Sequence, residues 1–147
     1  MSVVILDEEM LDPWATLAEF QAQRFENRTD YGATSVFVGT MRDFNEGDVV
    51  QTMALEHYPG MTETSLERII AEAKKKWELL ECLIVHRVGS IQPAEPIMLV
   101  AVWSSHRREA FEANRYLVEE LKHRAPFWKQ ETLTSGKTRW VDKNTPG

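Results

Sequence analysis

The chain has 147 residues, 43% of them apolar and 27% charged, which is the size and balance of one folded domain able to bury its own core. Its formal net charge is -6, with residues 1–97 at -9 and residues 98–147 at +3, a distribution that argues against generic nucleic-acid binding while leaving the last third able to attract a small anion. No apolar run approaches the ~20 residues that span a bilayer, and the single cysteine, Cys82, rules out an internal disulfide and a cysteine-based metal cluster.

The opening "MSVVILDEEM" lacks the basic residues and long apolar core of a secretory signal, so the cytoplasm is the expected compartment. "DPWATLAEFQAQRF" offers Asp12 as a cap and Pro13 in the first turn. Trp14, Leu17, Ala18 and Gln21 then recur at helical spacing, predicting a short amphipathic helix. "GATSVFVGTMRD" and "VVQTMALEHY" read as strands, and "FNEGD" between them supplies turn residues, so the two are expected to pair as a hairpin. After "PG", Leu66, Ile69, Ile70 and Ala73 mark one face of a helix of about four turns, with Thr62 or Thr64 as its cap.

"LLECLIVHRVGS" and "PIMLVAVWSSH" are apolar strands joined by the loop "IQPAEP". The thiol of Cys82 within the first is read as buried and structural. A helix from Arg107 to about Arg124 follows, carrying Ala110, Phe111, Leu117, Val118 and Leu121, and Pro126 ends it by pushing Ala125 out of helical geometry. "FWKQETLTSGKTRWVD" reads as a hairpin turning at "SGK". "SGKT" is not a P-loop, because Glu131 stands where the first glycine belongs. Helices and strand pairs in this order predict a single α+β domain over residues 1–147.

Functional signals gather near the carboxy-terminal break. Lys122 occupies the last helical turn, where a cation also favours the dipole. Lys129 lies three residues past Pro126, where the chain can fold back towards Lys122. Phe127 and Trp128 supply apolar surface, and both desolvation and a neighbouring cation lower an amine's pKa towards the neutral form that acid-base or nucleophilic chemistry needs. Arg124 is left facing solvent. His106 and Arg107, with Arg108, open the same helix, where cations oppose the dipole and point to an anion. Arg42 ends "FVGTMRD" beside a turn and is open to either a binding or a solvated role. The four histidines occur singly, so no metal site is expected.

The motifs "FVGTMRD", "LEHYPGMTE", "HRVG", "HRREAFEA", "LKHRAPFWKQE" and "RW" at 139 and 140, in that order, resemble the MoaE family, the large catalytic subunits of molybdopterin synthase. The resemblance implies an α/β-hammerhead fold with an additional antiparallel β subdomain. It implies a sulfurtransferase that converts cyclic pyranopterin monophosphate to molybdopterin by installing a dithiolene. The sulfur would come from the thiocarboxylated terminal glycine of a small ubiquitin-like carrier subunit, and the chain would form a homodimer within a heterotetramer. Carried over by motif, Lys122 and Lys129 match the family's essential lysines. Thr40, Met41, Arg42, His106 and Arg107 match pterin-contacting positions, and Gln130 and Glu131 adjoin Lys129 in shaping the pocket. No cofactor and no metal enter this expectation. The competing reading is a non-catalytic module that binds a ubiquitin-like tail or a small phosphorylated ligand through the same basic pocket.

Overall fold

The computed structural model describes residues 1–141. Chain order is β1 (Ser2–Asp7), α1 (Pro13–Arg24), β2 (Ala33–Thr40), β3 (Phe44–Asn45), β4 (Asp48–His57), α2 (Met61–Lys76), β5 (Glu81–Ile91), β6 (Pro96–Ser104), α3 (Arg107–Arg124), β7 (Phe127–Leu133) and β8 (Thr138–Val141). The strands join in the order β2-β6-β5-β4-β7-β8, with β1 parallel to β5 and β3 paired to β4. This is an α+β fold whose mostly antiparallel sheet has two regions that share β5. Residues 81–86 of β5 pair with β6, whereas Gly89, Ser90 and Ile91 pair with β4.

The first region is buried on both faces. α2 and α3 cover one side through Leu66, Ile69, Ile70, Ala73, Leu117 and Leu121, while α1 closes the other around Trp103. The Trp103 indole N–H donates to the Gln21 side chain at 3.0 Å, so its polar atom is satisfied inside the core. Asn114, also buried, pins α3 to the sheet by donating to the Ser35 and Val100 carbonyls.

Several expectations change here. "SVVILD" is a strand, and the pairing of β2 with β4 does not occur. β2 pairs with β6 instead, and the hairpin shrinks to β3 and the start of β4 around Glu46 and Gly47, both at positive φ. Apolar β2 finds a fully buried neighbour in β6, which a local hairpin would deny it. Trp14, Ala18 and Phe111 are exposed, so the α1 stripe loses two of its four residues and the α3 stripe one of its five. α2 is capped at Gly60, whose N–H donates to Glu63 at 3.0 Å. Neither Thr62 nor Thr64 serves as that cap. The "SGK" turn joins β7 to β8 as expected, though Asp142 lies outside the described residues.

Where β5 passes from one region to the other, Gly89 adopts φ +97° and packs against Glu8. The Glu8 N–H donates to the Val88 carbonyl, and its carboxylate accepts from the Ser90 N–H at 3.2 Å. A side chain at 89 would be strained in φ and would collide with that carboxylate. Gly89→Ala is therefore expected to cost about 1–3 kcal/mol of stability, read as a lower urea midpoint at unchanged slope.

Candidate functional site

A cavity of about 220 Å³ opens where β2, β3, β4, β5, β6, α3 and β7 converge. Its wall includes Thr40, Met41, Arg42, Lys122, Lys129 and Glu131, six of the nine residues singled out from sequence. The two lysines arrive from opposite sides of the Pro126 break. Lys122 lies in the last turn of α3, and Lys129 is the third residue of β7. Proline has no N–H to continue the helix, and the preceding Ala125 is extended at φ -77°, ψ 135°. β7 then runs back antiparallel to β4, with Lys129 opposite Leu55.

α2 holds this corner. The Thr62 hydroxyl, wholly buried, accepts from the Tyr58 N–H and donates to the Pro126 carbonyl, both at 3.0 Å. One turn on, Ser65 reaches the Arg124 carbonyl, and Glu72 receives both terminal nitrogens of Arg124, which also pairs with Glu120. Arg124, expected to face solvent, is thus part of the brace, and its guanidinium holds the Glu72 carboxylate down at about 2. The pair is more than a third exposed, so screening by water limits its worth.

Burial pushes both amines below their ordinary value of 10.5. For Lys122 desolvation is the main cause, with Arg42 acting in the same direction and Glu119 opposing. For Lys129 desolvation again leads, reinforced by Lys122 and opposed by Glu131. Arg42 lies over the Phe44 ring at 4.9 Å, at the mouth of the cavity. Glu131 is almost fully buried and accepts from Asn45 and from Arg139 Nε at 3.0 Å. Arg139 continues to Asp48 and to the Asn45 carbonyl, so one guanidinium fixes the β3–β4 turn to the cavity wall.

Three sequence candidates lie elsewhere. Gln130 alternates away from Lys129 and Glu131 onto the outer face of β7, opposite Ala54 and Trp140, because successive strand residues point to opposite faces. His106 and Arg107 begin α3, fifteen residues from Lys122 in the case of Arg107, or about 22 Å at ~1.5 Å per residue. They cannot touch a small ligand that Lys122 touches within the same subunit. Phe127 lines the wall as expected, whereas Trp128, expected beside it, is exposed and not part of the wall. Sequence reading overlooked His86 and Asn45 as wall residues; both sit in motifs noticed for other reasons, and only the sheet register brings them to the cavity.

Fold and cavity together define an α+β protein with two partly desolvated amines and an arginine around one pocket. The chain belongs to the MoaE family: the family model described as "MoaE protein" matches residues 7–124. It is 44% identical over 142 residues to the molybdopterin synthase catalytic subunit of Ralstonia nicotianae, covering 97% of this chain and 78% of the relative. In three dimensions it superposes on the molybdopterin biosynthesis MoaE protein from Burkholderia ambifaria with a TM-score of 0.77 at 42% identity, covering 96% of this chain and 89% of the other. For the molybdopterin synthase from Staphylococcus aureus the TM-score is 0.82 at 29% identity, with 95% and 96% covered.

The brace makes a test. Thr62→Val keeps the shape but removes the partner of two part-buried groups, the Pro126 carbonyl and the Tyr58 N–H, with an expected stability loss of about 1–2 kcal/mol. Product formation should fall further than the unfolded fraction explains, because the lysines lose their register, and Thr62→Ser should restore both readings.

Proposed function

We propose that this cavity is the site at which the chain, as the catalytic subunit of a molybdopterin synthase, transfers two sulfurs to cyclic pyranopterin monophosphate. The observation that carries the reading is the pair Lys122 and Lys129 on one cavity wall, both shifted towards neutrality by burial. The sulfur donor is the thiocarboxylated terminal glycine of a small ubiquitin-like carrier, whose tail enters the cavity. There a neutral amine either assists the attacking sulfur or accepts the acyl group that the sulfur leaves behind. Arg42 and the protonated fraction of the lysines hold the phosphate and the oxyanion that develops at the acyl carbon. The reaction takes place in the cytoplasm. Among the described residues no helix is long and apolar enough to cross a membrane.

His106 and Arg107 fit this reading only through a homodimer. Standing about 22 Å from Lys122 along a straight helix, they reach a pterin when α3 of one subunit presents its first turn to the pocket of the other. Gln130, on the outer sheet face, shapes the pocket through its neighbours on β7 and does not contact the pterin directly.

Cys82 has no place in the transfer. It is fully buried on β5, and desolvation pushes its thiol up to about 12, so almost none is the reactive thiolate. A thiocarboxylate donor needs no protein thiol.

The direct test mixes the purified chain with thiocarboxylated carrier and cyclic pyranopterin monophosphate and assays for the dithiolene. Binding of both without product would favour the non-catalytic module. Lys129→Ala is expected to abolish product while retaining the fold, and near-normal turnover would remove Lys129 from the mechanism. The sign of the pH dependence follows from the lowered amines. Between the lowered folded value and 10.5 the unfolded chain holds more protons than the folded one, so the stability contributed by Lys129 rises with pH across that window. kcat/KM should rise with pH along a limb centred below 10.5. Cys82→Ala should keep most sulfur transfer and lose about 1 kcal/mol of stability; a folded, carrier-binding variant without transfer would place the sulfur on Cys82.

A further inference from the structure

His86 is the histidine in the cavity wall. It sits on β5 between Ile5 of β1 and Met98 of β6, with its ring stacked on Phe127 at 4.0 Å and an interplanar angle of 16°. Its Nδ1 lies 2.7 Å from the Arg87 carbonyl. A carbonyl oxygen only accepts, so Nδ1 carries the proton and Nε2 is left with a lone pair. Nε2 makes no hydrogen bond with any described residue, although the side chain is only 5% exposed. Complete burial lowers the imidazole pKa to about 4, and Lys129 and Lys122 push in the same direction, so the ring is neutral at pH 7.

The rest of the wall gives that lone pair its meaning. In their charged forms Lys122, Lys129 and Arg42 can donate but not accept. Glu131, the one carboxylate among the described residues of the wall, already accepts from Asn45 and Arg139. An acceptor with no donor, fixed in tautomer by the backbone and in plane by an aromatic ring, is a group that reads an N–H on a ligand. A ring donor lying beside the His86–Phe127 stack is what a fused nitrogen heterocycle supplies.

We propose that His86 is a specificity-determining residue of this pocket, with Nε2 accepting a hydrogen bond from a ring N–H of the bound pterin. The inference rests on the functional reading given above. It deepens that reading by separating the parts of the ligand: cations hold its phosphate, whereas a neutral imidazole recognises its ring. A ligand without the N–H would leave a buried acceptor unmet and be rejected.

Two variants test it by steady-state kinetics with thiocarboxylated carrier and cyclic pyranopterin monophosphate. His86→Phe keeps a flat ring against Phe127 and removes the acceptor. KM for the pterin is expected to rise about tenfold, the equivalent of one neutral hydrogen bond, with kcat little changed and the pH limb of kcat/KM unmoved. His86→Gln, whose amide oxygen can accept, should recover part of the loss. Unchanged KM in His86→Phe overturns the proposal, and so does a displaced pH limb, which would show His86 acting through a lysine. A second measurement needs no variant. In the unsubstituted protein labelled with 15N-histidine, cyclic pyranopterin monophosphate alone should move the Nε2 resonance upfield while Nδ1 stays in place. A saturating titration that leaves Nε2 unmoved overturns the proposal even if no variant folds. Failure of the functional reading is seen separately, as absence of dithiolene from the unsubstituted protein with both substrates present, and the resonance then decides the role of His86 by itself.

Discussion

Pro126 can neither continue α3 nor donate to it, so the chain must leave the helix extended and return as β7. That constraint alone would make a hinge. What turns it into a fixed corner is the buried Thr62 hydroxyl bonded to the Pro126 carbonyl, with Ser65 and Glu72 holding Arg124 beside it. Two amines are brought into one cavity by this means, an arrangement that their mutual repulsion and desolvation both oppose. Helix packing and the α2 brace supply the opposing energy, and the result is a pair of lysines whose protons are held less firmly than on a surface.

The polar groups around those amines are sorted by whether they are already engaged. Glu131 is a buried carboxylate committed to Arg139 and Asn45, which makes it an anchor for the β3–β4 turn rather than a proton carrier. Arg42 is exposed at the rim, stacked on Phe44. An uncommitted carboxylate here would neutralise the lysines and repel an anionic ligand. Tying Glu131 to Arg139, itself shared with Asp48, limits that effect without emptying the wall of polarity.

Much of this was legible in the chain. Helical periodicity placed α1, α2 and α3 to within a residue or two, since each has a proline or glycine at its boundary and a regular apolar face. The β5 and β6 strands announced themselves by continuous apolar runs. Strand partners were not legible: β2 abandons its sequence neighbour for β6, and β1 adds a parallel strand that leaves no local turn signal. The site divides in the same way. Lys122 and Lys129 flank a proline and could be paired by local geometry. Gln130 was misplaced because adjacency in a strand means opposite faces. His106 and Arg107 open the helix that carries Lys122, yet helical rise separates Arg107 from it by about 22 Å at ~1.5 Å per residue. His86 escaped notice because a lone histidine in an apolar strand looks like core until the register sets it against Phe127.

The burial of Cys82 has a meaning beyond the stability of β5. A protein that handles a thiocarboxylate has, in its own single thiol, a rival nucleophile for that acyl group and a target for every oxidant and electrophile in its surroundings. Sealed behind Val102 and the α2–α3 layer, with its proton held to about pH 12, this one takes no part in such exchange. A thiocarboxylate that meets the folded chain finds no accessible protein thiol to take over its acyl group as a thioester and release its sulfur as sulfide, and thiol-seeking poisons find nothing to cap while the fold is intact.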